Sequence, residues 1–316
     1  MFSRLFAESG LSLDRLRALV EVGAAGSIVR AAARDAVRQS QYSRQIKELE
    51  DFFRTTLIER SGKGIRFTDN GRELARISRF LLLGLSNFQR GCLGEDRTYR
   101  IGAGATFTSA FLLQLLSEKT NLRPGVNFAV EALPDDHIEQ RLHELTLDFG
   151  IVASTALTRP LQLKKLLPWS LKLFLRKDSH RDRRKVSRAL RIGTLPFVLA
   201  TETPPVLLAG LSDYGPALTC NNFLEARGVL LEQGLPAFLP DYIDLGPRKG
   251  EFFSISVSPR SAGKANEPSA SVGATNSKFT YSLAWNPRLL RLNPQAARQR
   301  DKLIETNWQG LRRQPA

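Results

Sequence analysis

The chain has 316 residues, of which 42% are hydrophobic and 24% charged; that mix supports packed cores and argues against global disorder. Cys92 and Cys220 are its only cysteines and His137, His143 and His180 its only histidines, too few for a disulfide framework, a four-cysteine metal site or a histidine-rich metal centre. The formal net charge is +15, carried mainly by the two ends: +6 over residues 1–93, +3 over 94–250 and +6 over 251–316. Such an excess suits a polyanionic partner.

Length allows about two domains. No apolar run reaches the ~20 residues of a membrane span, so no membrane partner is expected. Residues 1–10 include Arg4 and Glu8 without an apolar stretch, which argues against a secretory leader and for a reducing cytoplasm. No cofactor or metal is expected.

Leu13, Leu16, Leu19, Val20 and Val22 have mostly helical spacing and predict a first helix, which Gly23 and Gly26 interrupt. Ser27 is an N-cap candidate for a short second helix, Ile28 to about Arg34, whose Ala31, Ala32 and Ala33 permit close packing. Ala36 to Gln39 are expected to connect it to a third helix over about Ser40 to Phe53. Tyr42, Ile46, Leu49 and Phe53 give that helix a buried stripe, and Gln41, Arg44, Gln45, Lys47 and Glu48 its outer side. Residues 60–68 predict a hairpin turning at Gly62 and Gly64, with Ile65 and Phe67 inward. Thr68 then caps a long helix from Asp69 to about Cys92. Its stripe Leu74, Ile77, Leu81, Leu85, Phe88 and Cys92 has no evident partner within the chain. A second copy of the same helix is the simplest one.

After Gly94 the pattern becomes β-α-β-α: strands at 99–105, 127–133 and 148–153, helices at 106–116 and 136–145. Leu166 to Leu175 extends the apolar pattern, and more α/β material follows at 197–200, 217–219 and 236–239 with a helix over 222–233, then a strand at 279–285 and a helix over 294–311. Residues 176–191 form a highly charged surface stretch and 258–277 a loop rich in Ser, Ala, Gly and Asn.

Three helices followed by a basic hairpin are the parts of a winged helix-turn-helix, whose third helix enters the major groove. Gln39, Ser40 and Gln41 stand at the expected tip of that helix, where free N–H groups can also face a phosphate. Arg38, Arg44 and Lys47 can neutralise phosphates or reach bases. Lys63 and Arg66 lie on the wing.

The segments LRALVEVGAAGSIVRAA (16–32), QSQYSRQIKELE (39–50) and LIERSGKGIRFTDNGRELA (57–75) together resemble the N-terminal region of LysR-type transcriptional regulators. Ser27, Ala31 and Ala32 fall at the family's helix-two positions, and Gln39, Ser43, Arg44, Gln45, Ile46, Leu49 and Glu50 at its helix-three positions. Arg60, Thr68 and Gly71 match the wing and the start of the linker helix. Asp35 departs from the Leu usual there, which points to an early or a wetter end of helix two.

The resemblance implies a winged helix-turn-helix domain (1–68), a linker and dimerisation helix (69–93) and a two-lobed α/β domain (98–316) similar to a periplasmic binding protein. It implies double-stranded DNA as partner through Ser27, Arg30, Arg38, Gln39, Ser40, Gln41, Ser43, Arg44, Lys47, Arg60, Lys63 and Arg66. It further implies a homodimer, a pairing of dimers into a tetramer, and a small-molecule effector between the lobes. The segments 100–116, 142–153, 234–242 and 281–289 carry the weaker second-half likeness. A ligand there would lie outside the carboxyl ends of strands. The candidates to hold it are Thr106, Phe107 and Thr108, with Ser154 and Asn221. No cluster of guanidinium groups marks a dicarboxylate or phosphate site. The alternative is a DNA-binding regulator without ligand response. An enzyme finds little support. GAGATF (102–107) lacks the third glycine of a dinucleotide fingerprint, and Asp148, His143 and Ser154 lack a nucleophile elbow.

Overall fold

Ser12 opens helix α1 (Leu13–Ala25) by accepting the Arg15 amide at 3.3 Å, and Gly26, at φ 62°, ends it. This computed structural model describes residues 5, 9–61, 64–94, 96–118, 126–153, 156–180, 182–191, 193–204, 207, 215–256 and 278–311. The chain divides into two compact units: Met1–Arg97 with Glu144–Thr146 and Arg288–Gln295, and the remainder.

In the first unit α1 buries Leu16, Ala18, Leu19 and Val22. Helix α2 is short (Ile28–Ala31). It stops there because Ala33 and Arg34 take left-handed backbone angles, φ 50° and 66°. The expected connection at Ala36 to Gln39 is instead helical: α3 spans Ala36–Phe53. The reason is Asp35. Its carboxylate accepts the amides of Val37 at 2.8 Å and Arg38 at 3.2 Å, starting the helix one turn before Ser40.

Strands β1 (Ile58–Ser61) and β2 (Gly64–Phe67) form the expected hairpin, with Ser61 opposite Gly64. Glu50 ties it to α3 by accepting the Leu57 amide at 2.7 Å and the Ile58 amide at 3.2 Å. Leu16, Leu19, Val22, Ile46, Leu49, Leu57 and Ala75 make one core, with Tyr42, Phe53, Ile65, Phe67 and Leu74 packed on its border. Helix α4 (Asp69–Leu93) begins where Thr68 Oγ1 accepts the Gly71 amide at 3.0 Å. Its 25 residues extend about 37 Å at the usual rise.

The second unit is built on a mixed sheet. Strands β3 (Arg97–Ala103), β4 (Val126–Ala132) and β5 (Phe149–Val152) carry the first lobe. Helix α5 opens as Ala105–Phe107, passes through a π-helical turn at Thr108–Leu112 and continues as Leu113–Glu118. Helix α6 (Asp135–His143) covers the same lobe through Ile138 and Leu142.

Strand β6 (Gln162–Arg176) crosses the unit; Leu167, Trp169, Leu171, Leu173 and Leu175 alternate inward along it. The charged stretch after it is partly helical, α7 (Arg183–Arg191), because Val186 and Leu190 are buried. The second lobe follows as β7 (Val198–Ala200), β8 (Leu218–Cys220), α8 (Phe223–Gln233), β9 (Ala237–Pro240) and β10 (Phe252–Ser256). Strand β11 (Lys278–Trp285) returns to the first lobe.

The strand order is β4-β3-β5-β11-β6-β9-β7-β8, with β10 also on β6. Residues 162–170 of β6 pair with β11 and residues 171–176 with β9 and β10, so one strand belongs to both lobes. The closing helix expected over 294–311 breaks into α9 (Pro294–Glu305) and α10 (Trp308–Leu311). The expected loop at 258–277 lies outside the described residues.

Candidate nucleic-acid interface and interlobe site

Helix α3 separates its two duties by periodicity. Ile46 and Leu49 are buried at 1% and 0% exposure, and Tyr42 lies half-buried with its hydroxyl donating to Glu21. That hydrogen bond, with burial, raises the Tyr42 pKa. Turned away from this stripe, Arg38, Ser40, Gln41, Ser43, Arg44 and Lys47 are exposed, and Gln39 is half-buried. The Arg44 side chain is 74% exposed and makes a long pair with Glu48, 3.8 Å.

The early start of α3 changes one expectation. Gln39, Ser40 and Gln41 sit a turn inside the helix rather than at its tip, and the Gln39 amide donates to Asp35 O at 3.0 Å. The Val37 and Arg38 amides are taken by the Asp35 carboxylate, so these N–H groups do not await a phosphate. Contacts from this helix fall to side chains. Val37, 78% exposed beside Arg38, was not singled out from the sequence; its signal is an apolar residue directly after a strong Asp cap.

Ser27 is the N-cap of α2, 8% exposed, without a side-chain capping bond, while Arg30 is exposed. Arg66 is exposed on β2. Arg60 pairs through its backbone with Ile65, but its side chain and the whole of Lys63 lie outside the described residues.

On α4 the stripe stands open: Ile77, Leu81, Leu85 and Phe88 are 50%, 43%, 46% and 74% exposed. Apolar side chains recurring on one face of a charged helix are energetically costly in water, each worth ~1.5–3 kcal/mol if buried.

In the second unit the carboxyl ends of β3, β7, β8 and β9 lead to Thr106, Glu202, Phe223 and Tyr242. Thr106 is 1% exposed, and both its amide and its hydroxyl donate to the Glu202 carboxylate, the amide at 3.2 Å. Phe107, also 1% exposed, packs its ring 4.7 Å from Tyr281, 5.1 Å from Phe111 and 5.4 Å from Trp308. Trp169 on β6 stacks on Tyr281 at 5.3 Å, and the Tyr242 and Tyr281 hydroxyls are 2.8 Å apart.

Thr106 therefore stands at the lobe junction with both of its donors taken by the chain's own Glu202, while the Thr108 hydroxyl is buried without a hydrogen-bond partner among the described residues. The Thr108 amide donates to Gly104 O at 2.9 Å within the helix, so it is not an anion donor. Asn221 is exposed; its amide donates to Glu225 at 2.9 Å and its carbonyl accepts the Thr201 hydroxyl at 2.7 Å. Ser154 lies outside the described residues. Sequence reading missed Glu202. Its signal was an acidic residue just past a buried three-residue apolar strand, where a ligand's neighbours are usually found. Among the described residues no group of three or more His, Cys, Asp or Glu is arranged to hold a metal, and no helix is long and apolar enough to cross a membrane.

A three-helix unit with a β-hairpin wing, a long linker helix and a two-lobed α/β unit define a helix-turn-helix protein with a ligand-binding type of second domain. The profile of the bacterial regulatory helix-turn-helix protein, lysR family, matches residues 13–72, and that of the LysR substrate binding domain matches residues 94–250. The chain belongs to the LysR-type transcriptional regulator family.

It is 28% identical over 172 residues to the uncharacterised HTH-type transcriptional regulator YfeR of Shigella flexneri, covering 53% of this chain and 56% of that protein. It is 28% identical over 145 residues to the HTH-type transcriptional regulator DgdR of Burkholderia cepacia, covering 45% of this chain and 49% of that one. The chain thus spans about half the length of the curated relatives it matches. In fold it is similar to a full-length OxyR variant from Pseudomonas aeruginosa, with TM-score 0.63, 18% identity, and 93% and 94% of the two chains covered. It is also similar to full-length LysG from Corynebacterium glutamicum with bound effector Arg, with TM-score 0.58, 14% identity, and 92% and 99% covered.

Proposed function

We propose that this chain is a sequence-specific DNA-binding transcriptional regulator that acts in the cytoplasm as a homodimer. The observation that carries the reading is the exposed face of α3, where Arg38, Ser40, Gln41, Ser43, Arg44 and Lys47 project from a helix whose other side is locked into a core. A helix so mounted fits the major groove, where Gln pairs with adenine, Arg with guanine or phosphate, and an exposed Val37 meets a thymine methyl. Gln39, Ser27 and Arg30 flank this face; Arg66, with Arg60 and Lys63, would follow the neighbouring backbone from the wing. The stripe of α4 pairs two copies, giving the two-fold symmetry that two half-sites require, and dimers pair further through the α/β units. Its work is binding, with no catalytic step.

The second unit belongs to the effector-binding class of domain, and Thr106, Phe107, Thr108, Ser154 and Asn221 remain the proposed neighbours of a small molecule. Glu202 favours the alternative reading, a regulator without ligand response, wherever the ligand would be an anion.

The test is titration of the full chain against a short palindromic duplex carrying its site, at rising salt. Affinity should fall steeply, by a slope of about −0.9 per phosphate contacted in the logarithmic plot. A dissociation constant that stayed flat from low to moderate salt would overturn the DNA-binding reading.

A further inference from the structure

Glu202 stands two residues beyond β7, at the carboxyl end of the second lobe's strands. Its Oε1 accepts the Thr106 amide at 3.2 Å, and its Oε2 accepts the Thr106 hydroxyl and the Phe223 amide, the latter at 3.2 Å. Thr106 belongs to the first lobe and Phe223 to the second, so one carboxylate gathers donors from both. A hydroxyl has a single proton. Thr106 gives it to Glu202 and uses a lone pair to accept the Phe223 amide at 3.1 Å, which completes a closed ring of hydrogen bonds. Residue 104 is glycine where the carboxylate arrives: a Cβ there would stand 3.1 Å from Glu202 Oε1.

These donors are the ones an anionic effector would need, since amides at strand-to-helix turns and a Thr hydroxyl are general ligands for carboxylate and phosphate. Here they are occupied by a carboxylate the chain supplies itself. A second anion would find the Thr106 and Phe223 donors taken and a like charge in their place. The next residue, Phe107, packs its ring against Phe111, Tyr281 and Trp308.

We propose that Glu202 is an internal substitute for an anionic effector: it clasps the two lobes together and bars small carboxylates and phosphates from their junction. It is thereby the residue that sets the charge specificity of the unit. The regulatory meaning rests on reading the second unit as an effector domain; the clasp itself does not. The following test involves no DNA, so its outcome is separate from that of the binding titration.

The full chain is compared with E202A and E202Q by thermal melting in sodium acetate and in sodium chloride of equal ionic strength, at neutral pH. Acetate replaces the deleted carboxylate. E202A should melt below the wild type, and about 100 mM acetate should raise its midpoint by about 2–4 °C over chloride. The wild type should melt alike in both salts. E202Q fills the same space but turns an N–H₂ toward donors, so it should melt lower and ignore acetate. An E202A that melts with the wild type, or that responds no better to acetate than to chloride, overturns the proposal. So does a wild type that acetate stabilises as much as E202A. If E202A does not fold, E202Q decides: a midpoint equal to the wild type's overturns the clasp, and a lower one supports it.

Discussion

The helix-turn-helix unit and the lobe junction treat polar side chains in opposite ways. On α3 the cationic and amide groups are held out from a rigid core, with Arg44 74% exposed and a 3.8 Å pair its only ionic contact among the described residues. At the junction Thr106 is 1% exposed and each of its donors already has a carboxylate partner. A surface meant for an outside partner keeps its donors solvated, because the partner supplies their hydrogen bonds later. A buried donor left unpaired costs ~1–3 kcal/mol, and the Thr106 donors are spared that cost by Glu202. The open stripe of α4 belongs with the first kind, in apolar form.

The largest effect expected is on that stripe. Leu81→Asp places a charge where Leu81 would meet a second copy, and an unpaired buried charge costs several kcal/mol. The mutant should have the mass of a monomer at micromolar concentration, where the wild type has that of a dimer. A dimeric L81D chain would remove Leu81 from the interface and leave its 43% exposure as ordinary surface.

Next comes the rigidity behind the DNA face. Gly71 lies in the first turn of α4 so close to β1 that a Cβ would stand 1.9 Å from Leu57 O, a backbone atom. Gly71→Ala forces backbone apart and should cost about 1–3 kcal/mol, read as a lowered melting midpoint of the first unit. An unchanged midpoint would show that the hairpin can shift freely, and that α3 is less firmly mounted than its core implies.

Much of this was legible in the sequence, for identifiable reasons. Leu74, Ile77, Leu81, Leu85 and Phe88 announce α4 because a helical period survives whether or not the stripe is covered. Thr68 was legible as a cap because it accepts a bond three residues away. Asp35 was read only as a departure at the end of helix two. It is also the start of helix three, and that second role depends on Ala33 and Arg34 adopting left-handed angles that side-chain pattern does not encode. Glu202 was illegible for another reason: it lies 96 residues from Thr106, and only the crossing of β6 between the lobes brings the two together. Local chemistry marks donors; which acceptor reaches them is a property of topology.

A smaller effect separates the two kinds of arginine contact. Arg44→Ala should weaken binding to a specific duplex by about 1–3 kcal/mol if Arg44 reads a base, and less on random DNA. An equal loss on both sequences would make Arg44 a phosphate contact, with a salt slope reduced by about one. Affinity unchanged on both would mean that the exposed face of α3 is not the one that meets DNA.

The smallest effect tests whether satisfaction inside the second unit has a pH signature. Glu139 accepts the Thr158 amide at 2.7 Å and the Thr158 hydroxyl at 2.6 Å, and the hydroxyl bond is the main cause holding its carboxyl below the usual carboxylate range. His143, 3.9 Å away, adds to this when protonated. A carboxyl whose folded value is depressed contributes stability that is present above the ordinary glutamate value, about 4.3, and is lost as pH falls through the folded one. Glu139→Gln removes that titration. The wild type should therefore hold a constant advantage over E139Q above about pH 5, worth under ~1 kcal/mol for so accessible a group, and lose it on further acidification. Melting midpoints of the two chains from pH 7 to pH 3 give the measurement. An advantage that stayed level to pH 3 would mean that the Thr158 bonds support both protonation states equally. Glu139 would then be a spacer on α6, not a charged acceptor that the fold has matched to its donors.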